Sequence, residues 1–244
     1  MLFRSRTYLR VNQSYRFANT DEYWGYDANG NRAFSGELRP QITKAYELGY
    51  DLHTARQQLS VMFAQSVTQD EIRYDPAVYQ NANLADNIFR TSLSVNWSTK
   101  VLDKSRVSVG ARFQRAEYLN GAFAGQTVGL VPNAIYNLGW TQELDGRTRA
   151  GVQVAHVSKQ NYDASPGTMP TLSQMPAYTT ADVFVVRSYG KLEAKLTVKN
   201  LTGSTYASYG GYSSVQVPGG NTTPSYYYFP SDPRSVYLSM TYLF

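Results

Sequence analysis

The last ten residues, Ser235-Val-Tyr-Leu-Ser-Met-Thr-Tyr-Leu-Phe244, decide how the rest of the chain is read. Val236, Leu238, Met240, Tyr242 and Phe244 fall at every second position, with Tyr237, Ser239, Thr241 and Leu243 between them. Period two marks a strand, because successive side chains leave opposite faces of the pleat. A strand of this length crosses a bilayer when its apolar face meets lipid. It serves equally as one strand of a soluble sandwich, so the remaining sequence has to separate the two.

Nine further alternating segments precede it. Leu9, Val11, Tyr15 and Phe17 alternate with Tyr8, Arg10, Asn12, Ser14 and Arg16; Tyr46, Leu48 and Tyr50 alternate with Glu47, Gly49 and Asp51. Leu59, Val61 and Phe63 follow, then Leu93, Val95 and Trp97 against Arg90, Ser92, Ser94 and Asn96. Val107, Val109, Ala111 and Phe113 oppose Ser108, Gly110, Arg112 and Gln114. Ala134 to Trp140, Ala150 to Val154 and Ala181 to Val185 continue the pattern. Leu192, Ala194, Leu196 and Val198 against Glu193, Lys195, Thr197 and Lys199 give its cleanest instance.

Connection lengths separate barrel from sandwich. Short links fall at His53-Thr54, Lys100 to Ser105, Glu143 to Arg147 and Tyr189-Gly190, and long links near 18–42, 69–87, 117–133, 159–177 and 201–234. The two kinds alternate strictly. Transmembrane barrels have short turns on one side and long loops on the other, whereas a sandwich has no reason to sort its connections. The expected fold is therefore all-β: an antiparallel transmembrane β-barrel segment of ten strands, either an open curved sheet or a small closed barrel. Arg10, Arg16, Glu47, Arg90, Arg112 and Glu193 are then expected on the lumen face, with the arginines pairing to Glu47, Asp51 or Glu193.

Composition agrees with this reading. Hydrophobic residues make up 42% of the 244, and no window approaches the roughly 18 apolar residues of a membrane helix. Barrel strands escape such a test because polar positions dilute them. Tyrosine is abundant, with 21 residues, and suits strands, interfacial girdles and binding loops alike. Cysteine is absent, so there are no disulfides or thiolate metal sites. The net charge is +5. Its Lys and Arg residues look scattered in the linear sequence, which argues against nucleic-acid binding and fits cationic loops or a cationic lumen. Met1-Leu-Phe-Arg-Ser-Arg6 lacks the apolar stretch of a signal peptide.

Several segments resemble the C-terminal part of TonB-dependent outer-membrane receptors. They are Tyr15-Arg-Phe-Ala-Asn-Thr-Asp-Glu22, Leu38-Arg-Pro-Gln-Ile-Thr-Lys-Ala-Tyr-Glu-Leu-Gly49 and Asp70-Glu-Ile-Arg-Tyr-Asp-Pro76. Gly121-Ala-Phe-Ala-Gly-Gln-Thr-Val-Gly-Leu-Val-Pro132, Val198-Lys-Asn-Leu-Thr-Gly-Ser-Thr-Tyr206 and the closing Pro233 to Phe244 complete the set. Their shared order carries the resemblance. It implies uptake of a ferric siderophore or similar metal chelate across the outer membrane, with membrane lipid, the barrel-assembly machinery and the TonB system as partners. It also implies that Tyr242 and the terminal Phe244 form the assembly signal. Such receptors have barrels of about 22 strands with a plugged lumen, so in an intact receptor the plug is the alternative partner for Arg10, Arg16, Arg90 and Arg112. This chain matches their last ten strands, so the plug and the first strands are expected to be absent, as in a truncated, split or excised product. Contact with TonB would run only through that missing region. A self-contained pore or adhesin, and a non-functional remnant, are the alternatives.

No catalytic constellation stands out. His53 falls in a short turn and His156 near the outer end of the seventh strand; His156 with Asp163 only faintly resembles an outer-membrane protease rim. No resident cofactor or metal site is expected. Gly210-Gly211 and Gly219-Gly220 lack the strand-to-helix setting of a phosphate loop. The ligand candidates are the aromatics of the last long loop: Tyr206, Tyr209, Tyr212, Tyr226, Tyr227, Tyr228 and Phe229. Their rings suit stacking on an aromatic or iron-chelate ligand, although a membrane girdle would use the same residues.

Overall fold

The computed structural model describes residues 3–27, 29–75, 79–163, 174–216 and 222–242. β1 (Arg4–Arg16) leads through a hairpin, β2 (Trp24–Tyr26) and β3 (Arg32–Phe34), to β4 (Gln41–His53). β5 (Gln57–Gln69) follows after a short turn, and then a second hairpin, β6 (Ile72–Asp75) and β7 (Gln80–Asn83). β8 (Ile88–Leu102) and β9 (Ser105–Tyr118) form the next tight pair. A short 3-10 turn at Gly121–Phe123 precedes β10 (Ala134–Asp145) and β11 (Thr148–Val157). The small pair β12 (Gln160–Asn161) and β13 (Gln174–Met175) precedes β14 (Tyr178–Tyr189) and β15 (Leu192–Lys199). The hairpin β16 (Ala207–Gln216) and β17 (Thr222–Pro230) precedes the last strand, β18 (Ser235–Tyr242).

The ten long strands form one antiparallel sheet, in the order β1-β4-β5-β8-β9-β10-β11-β14-β15-β18. Each strand pairs with the next long strand in the chain, which requires only up-and-down connections. The expected sorting of links holds. The short turns, 54–56, 103–104, 146–147 and 190–191, lie at one end, and every long connection lies at the other. Strand ends shift by a few residues from the sequence reading. His53 belongs to β4 rather than to a turn, β8 runs on to Leu102, and β10 runs on to Asp145. β1 and β18 stand at the two ends of the order, and among the described residues no pairing joins them. The described strands are consistent with the open curved sheet of the two expected forms.

Register sets like residues side by side. Leu9 faces Leu48, Leu48 faces Phe63, Phe63 faces Leu93, and Leu93 faces Phe113. Further along, Val109 faces Leu138, Leu138 faces Val154, and Leu196 faces Leu238. Directly paired residues project to the same side of a sheet, so this face is continuously apolar across ten strands. It is also exposed: Leu9, Leu238 and Met240 keep 72%, 65% and 65% of their surface. A soluble protein rarely leaves so large an apolar area open. The opposite face carries Arg10 against Glu47, Glu47 against Ala64, and Ser94 against Arg112. Followed from strand to strand, register puts all six charged residues named from the sequence on this polar side.

The buried apolar cluster of the described residues sits at the loop end rather than within the sheet. Ile88, Ala116, Tyr118 and Val128 form it, with Leu84, Phe123 and Val131 against them. This follows from the architecture: a single sheet has no second layer to pack on, so an aqueous core forms only where loops fold over the strand ends. The Val198 to Tyr206 segment has a structural role as well. Asn200 is buried and left-handed at φ 48°. Its amide N–H donates to the Asp182 carboxylate (2.8 Å), and its side chain donates to the Ser204 carbonyl (2.8 Å). Its Oδ1 accepts from the Ser204 N–H at 3.0 Å, so the residue ties off the top of β15.

Candidate functional site

The five long connections form one bonded layer. The Tyr26 N–H donates to the Tyr79 carbonyl (3.0 Å), and Arg39 pairs with Asp70 (2.5 Å), joining the first connection to the second. The second joins the third where the Asn87 N–H donates to Asn120 Oδ1 (2.7 Å) and the Leu119 N–H donates to the Asn87 carbonyl (2.8 Å). The third joins the fourth through the Leu130 N–H and the Asn161 carbonyl (2.9 Å). The fourth joins the fifth at Asp163, whose N–H donates to the Gly210 carbonyl (2.8 Å) and whose carbonyl accepts from the Tyr212 N–H (2.8 Å).

Arg73 ties this layer together. Its guanidinium, on β6, donates to Asp163 Oδ1 (2.5 Å) and to the Tyr118 hydroxyl (3.1 Å). The Arg73 side chain is 21% exposed and that of Asp163 32%, so the pair is shielded enough to count. Asp163 does not approach His156 to form a protease-like rim. The His156 ring instead meets Thr179 Oγ1 through Nδ1 (2.8 Å) and tilts against Tyr136. Among the described residues, no group of three or more His, Cys, Asp or Glu gathers around a point that could hold a metal.

The aromatics of the last connection divide into two sets. β16 and β17 pair Tyr212 with Tyr226, Gly211 with Tyr227, Gly210 with Tyr228, and Tyr209 with Phe229. Tyr212, Tyr226 and Tyr228 thus share one face of the hairpin, while Tyr209, Tyr227 and Phe229 share the other. Tyr162, which the sequence did not single out, covers the first face: its ring lies 4.6 Å from Tyr226, which lies 4.8 Å from Tyr212. Gly210 leaves room for Tyr162 on the first face, and Gly211 leaves room for Tyr227 on the other. A Cβ on Gly210 would stand 2.9 Å from the Tyr162 ring, and one on Gly211 2.5 Å from the Tyr227 hydroxyl. On the second face Tyr209 and Phe229 lie 5.6 Å apart; the exposed rings are one on each face, Tyr228 at 59% and Phe229 at 61%. Burial, with the Tyr227 hydrogen bond and the Asp163 charge behind it, pushes the Tyr209 phenol up to about 12. Tyr206 leaves the group and stacks on Tyr178 at 4.4 Å.

The charged residues of the polar face pair differently from expectation. Arg10 does bind Glu47 (2.8 Å). Arg16 takes Glu22 (2.9 Å) and Arg90 takes Glu71 (2.7 Å), both acids from the loop layer. Asp51 is held by Arg6 (3.0 Å), and Glu193 lies 4.0 Å from Arg149. Arg112 borders a hollow of about 340 Å³ with Glu47, Arg90 and Gln114. Phe244 lies outside the described residues, and Tyr242 ends β18 on the apolar face opposite Leu192.

A sheet with one continuous apolar face, one charged face, short turns below and a bonded loop layer above has the architecture of a membrane barrel wall. The family model for the TonB dependent receptor-like β-barrel matches residues 4–201, and the chain belongs to that family. Solved structures agree on the fold. The copper transporter OprC superposes with a TM-score of 0.76 at 15% identity, over 98% of this chain and 37% of its own length. The ferric yersiniabactin uptake receptor FyuA from Yersinia pestis gives 0.71 at 18% identity, over 98% and 35%. The siderophore receptor PiuA from Acinetobacter baumannii gives 0.67 at 16% identity, over 98% and 34%. The chain thus spans about a third of the length of these structures and corresponds to their C-terminal barrel portion. Comparison with curated protein sequences gave no match. The family and these neighbours are receptors and transporters rather than enzymes, and the family implies the bacterial outer membrane.

Proposed function

We propose that this chain forms the C-terminal wall of an outer-membrane receptor that takes up a metal chelate, a ferric siderophore by preference, with energy supplied through TonB. The unbroken apolar face carries the reading, because lipid is the partner that makes so much exposed Leu, Val and Met stable. In this reading the charged face lines the lumen. Arg112 and its neighbours border the space that a plug occupies, and regions outside this sequence supply the remaining strands and the contact with TonB. Tyr209, Tyr227 and Phe229 offer the chelate a ring surface on the outer side. β18, with Tyr242 and Phe244, presents the assembly signal. Fractionation of cells, combined with uptake of iron-55 bound to catecholate or hydroxamate chelators by the receptor that contains this chain, tests the proposal. Replacing Tyr209 and Phe229 by Ala should lower uptake while leaving the protein in the outer-membrane fraction. Unchanged uptake of every iron chelate would remove the ligand role, and recovery in the soluble fraction would remove the whole reading.

A further inference from the structure

The net charge of the chain is not spread over the fold. The five stretches that reach the short-turn end, 4–6, 51–56, 100–106, 143–149 and 187–193, hold ten Lys or Arg against five Asp or Glu. The rest of the chain holds thirteen of each. The whole excess of +5 therefore sits at one end of the sheet. Each short turn carries one cation: Arg56, Lys104, Arg147 and Lys191, all exposed. Arginines in strands or turns already engage four of the five acids, through Arg6–Asp51, Arg56–Asp103, Arg149–Glu193 and Arg187–Asp145. Within 4.0 Å, among the described residues, no acid pairs with Lys104, Arg147 or Lys191.

Aromatic rings mark the approach to these turns. Toward the short-turn end the apolar face carries Trp140, Tyr189 and Tyr242, with Tyr189 directly before the 190–191 turn. The Trp140 Nε1–H donates to Ser105 Oγ (2.9 Å), and the Arg187 guanidinium lies 5.4 Å over the Tyr189 ring. Aromatic rings with a polar handle settle at the boundary between hydrocarbon and headgroups. The turn residues lie beyond these rings along the strands, which in the membrane reading puts them on the headgroup side of that boundary. Arg187 projects from the same face as Val185 but is paired with Asp145 at 3.9 Å, so the cations left without an acid are those of the turns.

We propose that the short-turn rim is a docking surface for anionic phospholipid headgroups, of the phosphatidylglycerol kind, in the leaflet that borders the turns. The inference rests on the membrane reading above. Basic residues close to an acidic membrane surface each add attraction that falls off within a Debye length. A rim with uncompensated cations therefore favours acidic lipid over neutral lipid, and it does so at one end of the barrel only.

Vesicles of phosphatidylcholine, with and without phosphatidylglycerol, provide the test, using the receptor that contains this chain and scoring only protein whose strands resist protease. Phosphatidylglycerol should tighten association, and high salt should abolish the gain. The variant Arg56→Gln/Lys104→Gln/Arg147→Gln/Lys191→Gln should lose about fivefold of the preference for each cation removed. Arg32→Gln/Lys159→Gln, at the loop end, should keep the preference. An equal loss in both variants, or a preference that survives in the fourfold variant, overturns the proposal. Insertion into both kinds of vesicle without preference overturns it while leaving the membrane reading intact. Failure to insert into either kind overturns both.

Discussion

Arg73 and Asp163 stand 90 residues apart in the chain and meet at 2.5 Å across two loop connections. Through Asp163 the pair reaches the aromatic hairpin of β16 and β17, and through Tyr118 it reaches the buried cluster at the head of β8 and β9. A double-mutant cycle with Arg73→Met and Asp163→Asn should give a coupling energy of ~1–3 kcal/mol, because the two side chains are partly shielded and share further partners. The checking measurement is protease cleavage within the loop layer, which either single variant should speed. Strictly additive effects would show that the pair is ornamental.

The two faces of the sheet make opposite demands on a new charge. Leu138 sits mid-strand on the apolar face and Asn137 beside it on the polar face. In bilayers, Leu138→Arg should cost ~2–4 kcal/mol in unfolding titrations, and Asn137→Arg far less. Equal costs would contradict the assignment of lipid to the Leu138 side.

Asn200 combines a left-handed backbone, burial and hydrogen bonds from both its backbone and its side chain. Asn200→Ala should destabilise the chain by ~2–3 kcal/mol, since buried partners lose their bonds and a left-handed alanine is strained. Asn200→Gly, which relieves only the backbone, should recover a minor part. Denaturant midpoints of the three proteins decide this.

Acid should loosen the first loop connection before the sheet. Burial raises the Glu22 carboxyl, but the Asn19 amide and the Arg16 guanidinium outweigh it and hold the group below its ordinary 4.5. A depressed folded value means the stabilisation is full above about pH 4.5 and is lost as pH falls through the folded value. Trp24, which packs edge-on against Phe34, reports on this connection once Trp97 and Trp140 are replaced by Phe. Its fluorescence should change in this acid range, and Glu22→Gln should abolish the step.

Gly121 is fixed by what lies above it. Its φ is +77°, and the Asp86 carboxylate occupies the place of a Cβ. Gly121→Ala should therefore lower stability by at least ~1 kcal/mol from backbone strain alone. Asp86→Ala in the same chain should recover part of that loss if crowding contributes.

Much of the fold was legible because β-structure in a membrane writes itself locally. Leu192 to Lys199 alternates so cleanly that its bounds match the sequence reading, and the alternation of short and long links sorted the turns to one end and the loops to the other without any knowledge of contacts. The candidate site was legible only as composition. Tyr209, Tyr212 and Tyr226 to Phe229 could be named as a cluster, but the cross-strand pairing that divides them between two faces depends on the register of one hairpin. The role of Arg73 could not be found, since its partner lies in another connection; its only trace was its place in the Asp70–Pro76 segment that carries the resemblance. Arg16 and Arg90 likewise took their acids from loops that fold back over the strands.

The sequence by itself determined the strands, their faces, their up-and-down order and the family, because each depends on neighbours within a few residues or on the order of motifs. Tertiary structure decided which charges meet, which rings share a face, and where the net charge collects. The cations that look scattered along the chain converge at one end because antiparallel strands return every second link to the same side. Distance in space, unlike period two, is not written into any single stretch of residues.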